Sequence, residues 1–453
     1  MTAGSATIAE KSGMRGELLG HPRALSFLFA TEMWERFSYY GMRALLVLYM
    51  VEYLLKPAQA DHVLGLASFK GALELVFGPL DRQPFASQIY GFYTGLVYLT
   101  PILGGLIADR VLGQRRTVIL GAALMAVGHF MMAFEHLFLF ALLFLILGNG
   151  CFKPNISTQV GALYAPGDRR RDRAFSIFYV GINLGAFLAP LVCGTLGEEI
   201  GWHYGFAAAG VGMTTGLVIY LVATPNLPKD AFAKREFTAE PLGRRDWQAI
   251  GAIVILMLPF GLFWATYEQQ GNTIVLWASQ YTDRHLFAGL EIPVTWFQAF
   301  NPFMIFAFTP FIVSLWRWQG AREPSTVMKM SIGLFLNAAS WLIMLAAAQA
   351  AGTGQASWLW LFAFFIVITT GELYLSPTSL SLVTKVAPVR LLSMMMGVWL
   401  ATSFIGNFLA GYLGTFWSGM AKGDFFLMLA LISAAAGLTI ALMQRPLRAV
   451  LND

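Results

Sequence analysis

Apolar stretches long enough to cross a bilayer recur along the chain, each bounded by a short polar segment. A spanning helix needs about 20 mostly apolar residues. Stretches of that kind cover 24–52, 84–109, 116–134, 137–160, 174–196, 202–223, 247–277, 294–316, 325–350, 357–384, 392–417 and 424–444. They are rich in Leu, Phe, Met, Gly and Ala and lack the strict alternation of a membrane barrel. The pattern predicts an all-α polytopic membrane protein of twelve transmembrane helices. The longest interior polar segment, 224–246, carries Pro225, Pro228 and Pro241 and is rich in charge. It divides the chain into an N-terminal six-helix bundle (1–223), a cytoplasmic linker (224–246) and a C-terminal six-helix bundle (247–453). That is the layout of a transporter with a binding site near the midplane.

Composition agrees with this picture. Of 453 residues, 57% are hydrophobic and 12% charged, where soluble domains run near a quarter charged; the mean hydropathy is +0.62. A net charge of +5 raises the question of nucleic acid, but most Lys and Arg fall in the two ends and the even-numbered loops, as in "DRVLGQRR", "DRRRDR" and "WRWQGAREPS". The positive-inside rule then places both termini in the cytoplasm, so the basic excess sets topology and calls for no nucleic acid; the partner it implies is the lipid bilayer. The first 20 residues are polar and show no cleavable signal pattern, which leaves the first helix as the insertion signal. Cys151 and Cys193 lie in apolar segments and read as small buried hydrophobes rather than a disulfide. Paired metal ligands, G-x-S-x-G and a phosphate-binding Gly-rich loop are all missing, which argues against an integral-membrane enzyme. No cofactor is expected.

The first apolar stretch holds an anomaly, "EMWERFSYYGMR" at 32–43. At about 100° per residue, Arg43, Arg36 and Tyr40 fall within about 80° of Glu32 on one side, and Tyr39 and Glu35 within about 60° on the other. The opposite face holds Met33, Phe37, Met42 and Leu45. The charges therefore face the bundle interior or a water-filled cavity. An uncompensated charge at the bilayer centre costs about 2.5–3.5 kcal/mol on insertion scales; two carboxylates and two guanidiniums on one face can offset one another. Such a stripe is either a salt-bridge cluster that fixes packing or a proton and substrate site. Intramembrane ionisable groups point to the second. A carboxylate beside an arginine binds a proton more readily once that arginine turns to a ligand.

"EMWERFSYYG" resembles the ExxER-F-x-YYG motif of the proton-dependent oligopeptide transporter family, and it is not alone. "FYVGINLG" (178–185), "GNGCFKPNIS" (148–157), "FWATYEQQGNT" (263–273), "FNPFMIFAFTP" (300–310) and "GELYLSPTSLSLV" (371–383) resemble family segments, in the expected order from residue 22 to about 417. "GGLIADRVLGQRR", with Gly104 and Gly105 allowing close helix packing, resembles the cytoplasmic loop motif of the major facilitator superfamily, and implies that fold. The resemblance implies a proton-coupled symporter of di- and tripeptides, and of some peptide-like drugs, that works by alternating access with protons as the coupling ion. It further implies a bacterial inner-membrane protein that acts as a monomer.

The resemblance also implies roles for single residues. Proton coupling falls to Glu32, Glu35, Arg36 and Glu268, with Glu35 taking the larger share. Arg36 and Lys153 would hold a peptide carboxylate and Glu372 its amino group. Lys153 with Glu372, and Arg43 with Glu268, would form gating salt bridges. Tyr39, Tyr40, Tyr98, Asn183, Asn301 and Trp399 would line the peptide site, with Tyr179 and Trp264 as further candidates. The residues taken alone leave plainer readings open: Lys153 can snorkel to the interface, Glu268 can be an exposed glutamate, Asn183 and Asn301 can glue helices together, and the tryptophans can be packing. Pro154, Pro190, Pro259, Pro302, Pro310 and Pro377 sit inside apparent helices, where they can kink them.

Two departures from the family matter. Tyr90 is followed by Gly91, where mammalian members carry a histidine. The six histidines (His21, His62, His129, His136, His203 and His285) lie near predicted loops or helix ends, so no buried histidine switch is expected. Segment 224–246 is too short and polar for the two extra helices of many bacterial members. Other classes stay in view: a related porter for nitrate or a glucosylated metabolite, which Lys153 with Glu372 disfavours for nitrate, and a nutrient receptor that binds without transporting.

Overall fold

The computed structural model describes residues 17–451 apart from 19, 166–167, 229, 231–242, 288 and 388–391. Most of the 224–246 linker read from the sequence lies outside those residues. Among the described residues, ten helices are long and apolar enough to cross a membrane. They are α2 (Arg82–Leu112), α4 (Glu135–Ala162), α5 (Arg170–Ile200), α6 (Trp202–Asn226), α7 (Asp246–Gln280), α8 (Val294–Arg322), α9 (Thr326–Ala351), α10 (Leu359–Val383), α11 (Met395–Trp417) and α12 (Lys422–Gln444). The other two of the predicted twelve are α1 (Arg23–Tyr49) and α3 (Gln114–Met131). The charges of Glu32, Glu35, Arg36 and Arg43 set α1 apart, and α3 opens on Gln114, Arg115 and Arg116. Regular hydrogen bonding within each helix is the reason for the all-helical architecture, since hydrocarbon supplies no partner for a free backbone group.

Two features go beyond the sequence reading. A helix at Leu66–Phe77 stands in what reads as a loop between the first two spans, with Leu66 and Leu73 buried. Pro154, Pro259, Pro310 and Pro377 all sit inside continuous helices, whereas Pro190 opens a wider, π-type turn, Pro190–Gly194, in α5.

Packing divides the chain into two compact units, Met1–Met42 with Thr100–Glu236, and Arg43–Leu99 with Phe237–Asp453. The boundary falls inside α1 and α2 rather than at the linker alone. In the first unit, helices meet on small residues. A Cβ on Gly121 would come within 2.6 Å of Gly148 O, and one on Gly104 would overlap Gly150 O. In the second unit, a Cβ on Gly91 of α2 would come within 2.6 Å of Gly411 Cα in α11, and one on Gly333 of α9 within 2.7 Å of Gly371 O in α10. Between membrane helices, close contact of this kind takes the place of a hydrophobic driving force. The contact of Gly91 with Gly411 is what attaches the first half of α2 to the helices that follow the linker.

The two glycines of "GGLIADRVLGQRR" divide sharply. Gly104 is pressed against α4, while a Cβ on Gly105 would meet nothing within 4 Å. The histidines also need a correction. His129, which reads as a residue near a helix end, is fully buried in α3, and neither ring nitrogen has a partner among the described residues. Its helix is covered by α4 and α6 up to that turn, as the contacts of Gly128 with Leu145 and of Gly210 with Phe130 indicate. Cys151 and Cys193 are both free and buried.

The glycine pair gives a direct test. Gly104→Ala forces α2 and α4 apart and is expected to destabilise by about 1–3 kcal/mol. Gly105→Ala is expected to stay within about 0.5 kcal/mol of the parent protein. Thermal melting of the two purified variants in detergent compares them; equal melting points would remove the close-packing role of Gly104.

Candidate functional site

The first unit builds its polar centre on α1. Glycines of α5 and α6 bring those helices against the α1 backbone. A Cβ on Gly181 would come within 2.9 Å of Phe29, one on Gly185 within 3.0 Å of Arg36 Cβ, and one on Gly216 within 3.3 Å of Thr31 O. This explains the glycines of "FYVGINLG" as clearance for α1 beside Arg36. Glu32, Glu35 and Arg36 are consequently buried at 2%, 0% and 4% exposure. Arg36 Nη2 donates to Glu35 Oε1 at 2.7 Å, and Nε donates to Glu35 Oε2 while lying 3.3 Å from Glu32 Oε1. From α4, Asn149 Nδ2 donates to Glu35 Oε1 at 3.2 Å. Lys153, one turn further along α4, is near enough to Glu32 to act on it electrostatically.

Both oxygens of Glu35 are therefore held, whereas Glu32 Oε2 is buried with no hydrogen-bond partner among the described residues. The Arg36 guanidinium also lies 5.3 Å from the Tyr39 ring centroid, a cation–π distance. Two formal negative charges meet two positive ones here, and the second positive charge comes from Lys153.

Arg43 belongs to a second cluster, in the second unit. It pairs with Glu268 of α7. Tyr90 of α2 accepts from Arg43 Nε at 2.9 Å and Nη2 at 2.7 Å, and its hydroxyl lies 3.4 Å from Glu268 Oε2. Glu268 is 2% exposed, so the reading of an exposed interfacial glutamate is excluded. The chain makes room for this cluster at Gly271, where a Cβ would press on the Tyr90 hydroxyl. Nearby, Ser87 Oγ donates to Asn272 Oδ1 at 2.8 Å, tying α2 to α7 again.

The third cluster surrounds Glu372 of α10, also in the second unit. Tyr267 donates its hydroxyl to Glu372 Oε2 at 2.5 Å, and Asn301 Nδ2 donates to the same oxygen at 2.9 Å. Asn301 also lies 2.9 Å from the Tyr267 hydroxyl and 3.1 Å from Thr369 Oγ1. The bonds converge on one carboxylate oxygen. That arrangement fixes the group in place and leaves Oε1 to meet a cation.

A family model described as the POT family matches residues 115–240 and 243–428. A di-/tripeptide transporter of Lactococcus lactis subsp. cremoris is 34% identical over 501 residues, covering 96% of this chain and 97% of its own. The chain belongs to the POT family. It is a membrane transporter and not an enzyme. A peptide transporter of Yersinia enterocolitica subsp. palearctica is also 34% identical, over 96% of each chain. Among solved structures, a peptide transporter POT in complex with sulfate superposes with a TM-score of 0.87 at 30% identity over 99% of each chain. A POT family transporter in complex with a thioalcohol-conjugated peptide superposes with a TM-score of 0.82 at 28% identity, over 95% of this chain and 97% of that one.

In this POT-family chain the predicted residues fall into the three clusters unevenly. Glu32, Glu35, Arg36, Tyr39 and Lys153 come together in the first; Arg43 with Glu268, and Asn301 with Glu372, come together in the second unit. Lys153 and Glu372 belong to different units. Asn183 is buried but donates back to Tyr179 O at 3.0 Å, within its own helix; Tyr179 is 48% exposed. Tyr40 packs against the apolar cluster of Phe37, Ala189, Cys193 and Ala209, and Tyr98 is half-buried in the second unit. Trp399 is buried against Phe260, with ring centroids 4.5 Å apart, which is the packing arrangement; Trp264 is half-buried beside Phe260.

The residues that sequence reasoning missed are Asn149, Tyr90 and Tyr267. Asn149 stands inside the quoted "GNGCFKPNIS" and Tyr267 inside "FWATYEQQGNT", so the segments were found and the partners were not. Helical phase alone placed Arg43 on the face of the α1 carboxylates, and the resemblance paired it with Glu268; the structure gives Arg36 to both carboxylates and Arg43 to Glu268, with Tyr90 as the partner that neither reading supplied.

Removing one partner of a buried pair leaves an uncompensated charge, at a cost of about 3–5 kcal/mol. Glu268→Gln and Arg43→Gln are each expected to lower the detergent melting temperature strongly. The double variant is expected to recover much of the loss. A double-mutant cycle with additive effects would show that the two side chains do not interact.

Proposed function

We propose that this chain is a proton-coupled symporter that imports di- and tripeptides by alternating access. It resides in a bacterial inner membrane with both termini in the cytoplasm. The observation that carries the reading is the buried Glu32, whose Oε1 lies 3.3 Å from the Arg36 guanidinium while its Oε2 has no donor among the described residues, with Lys153 near enough to act on it electrostatically. A buried carboxylate oxygen without a donor is a natural proton acceptor. Its neighbours Arg36 and Lys153 are cations suited to a peptide carboxylate. Membership of the POT family and the named peptide transporters among its relatives support the substrate class.

Each charged group then has a role. Arg36 and Lys153 take the carboxylate of the peptide. Glu372, in the second unit, is suited to an ammonium group on Oε1, with Tyr267 and Asn301 acting as positioning residues that hold Oε2. When Arg36 turns toward the peptide, the α1 carboxylates lose their counter-charge and bind a proton more readily; we assign the acceptor to Glu32 in place of Glu35, to which the resemblance gives the larger share, because Asn149 still donates to Glu35. A proton on Glu268 releases Arg43 in the same manner. Protonation and peptide binding thereby favour each other, as linkage requires. Peptide-like molecules that keep both charged ends fit the same scheme.

Uptake of labelled dialanine into proteoliposomes tests this. An inward proton gradient is expected to drive accumulation above equilibrium, and a protonophore to abolish it. Accumulation indifferent to the gradient would overturn the coupling, and absence of uptake or competition would overturn the substrate class. Glu32→Gln is expected to abolish gradient-driven accumulation while sparing peptide exchange. Lys153→Ala is expected to weaken uptake by about tenfold or more, the scale of one lost charge-assisted contact.

A further inference from the structure

A cavity of about 380 Å³ lies at one end of the second unit, and none of the residues assigned a role above lines it. It is lined by the start of α2 (Asp81, Arg82 and Gln83), the end of α7 (Tyr281) and the α11–α12 connection (Trp417, Ser418 and Lys422). Its volume falls in the range of small-molecule sites.

One wall is rigid and aromatic. Tyr281 stacks on Trp277 at 5.1 Å, and Trp417 meets Tyr281 edge-on at 6.3 Å. Lys422 Nζ sits 4.3 Å from the Trp417 ring centroid. It donates to Trp417 O and lies 3.5 Å from Met420 O, which leaves one of its three donors uncommitted. Arg82 is exposed, and its guanidinium makes no hydrogen bond or ion pair with another described residue. Gln83 spends its Nε2 on Ser87 Oγ at 2.8 Å and Gly414 O at 3.0 Å. Its Oε1 is shielded from solvent and has no partner among the described residues.

The lining thus offers two cations with spare donors, a carboxylate at Asp81 and an aromatic face, while the shielded Gln83 Oε1 is out of a ligand's reach. That set matches a small zwitterion with a carboxylate at one end and an ammonium at the other. By the topology proposed above, both α2 and α12 begin on the outer side of the membrane. We propose that this cavity is a second peptide-binding site, an outer docking site at which Arg82 and Lys422 receive the carboxylate of a short peptide while Asp81 receives its ammonium. The proposal rests on the reading of the chain as a peptide symporter. It adds a site that is separate from the Arg36, Lys153 and Glu372 groups and belongs to a single packing unit. Held there, the peptide is concentrated at the entrance before the carrier opens to it.

The test uses the full chain in right-side-out proteoliposomes. Ser418→Cys places a thiol on the cavity wall, whereas the native Cys151 and Cys193 are buried. The rate of labelling by a membrane-impermeant maleimide is read with dialanine outside, and dialanine uptake is measured on the same vesicles. Dialanine is expected to slow labelling several-fold, and its N-acetylated amide, which has no charged ends, to leave the rate unchanged. Protection is expected to persist with Lys153→Ala added, and the half-protecting concentration to rise about tenfold with Arg82→Gln added. Because Arg82 is exposed, that change leaves packing intact; Lys422→Gln provides a second arm. Uptake without protection would overturn the outer site and leave the symporter reading in place. Protection that vanishes with Lys153→Ala would do the same, since it would report a distant movement. Loss of both uptake and protection in the Ser418→Cys protein would remove both.

Discussion

A charge buried in a medium that cannot solvate it must be answered by another charge or a hydrogen-bond donor. Much of this protein's organisation follows from that constraint. Glu32, Glu35 and Arg36 can lie inside α1 because Arg36 serves both carboxylates and α4 adds Asn149 and Lys153. Arg43, on the same helix, is answered by Glu268 and Tyr90. Glu372 is answered by Tyr267 and Asn301. In a soluble protein each of these groups could relax into water; in hydrocarbon the partner has to be built.

The partners are brought into range by residues with no polar chemistry. Gly181 and Gly185 let α5 lie against α1 at the turn that holds Arg36, and Gly91 and Gly411 let α2 lie against α11. Gly271 leaves space for the Tyr90 hydroxyl. The charged clusters and the small-residue contacts are therefore two halves of one design. A methyl group added at such a glycine would lie under 3.0 Å from its neighbour, so the contact could not be kept without moving the groups it holds in hydrogen-bond range.

The clusters differ in how completely their members are satisfied. Both oxygens of Glu35 are committed, while Glu32 keeps one oxygen free of donors and Glu372 is held on one side alone. Incomplete satisfaction in a buried network is destabilising. Where it persists, it marks the atoms that a proton or a ligand is there to meet. At one end of the second unit the groups around the cavity are left open in another way, with Arg82 exposed and Lys422 keeping a spare donor. There the surrounding groups are an arginine, a lysine, an aspartate and two aromatic rings, which is again the chemistry of a small zwitterion.

How much was legible in the sequence follows from what periodicity can carry. Runs of apolar residues fixed the number and type of the helices, because hydrocarbon admits only segments that satisfy their own backbone. The phase of α1 fixed that Glu32, Glu35 and Arg36 share a face. Motif order from "EMWERFSYYG" to "GELYLSPTSLSLV" identified the family. Periodicity on one helix carries nothing about the neighbour that faces it. The tertiary structure alone decided that Tyr90 joins Arg43 and Glu268, that Gly104 packs while Gly105 does not, that His129 is buried, and that Tyr267 holds Glu372. Each of those depends on which surface of another helix lies opposite, and that is set by the packing of the whole unit.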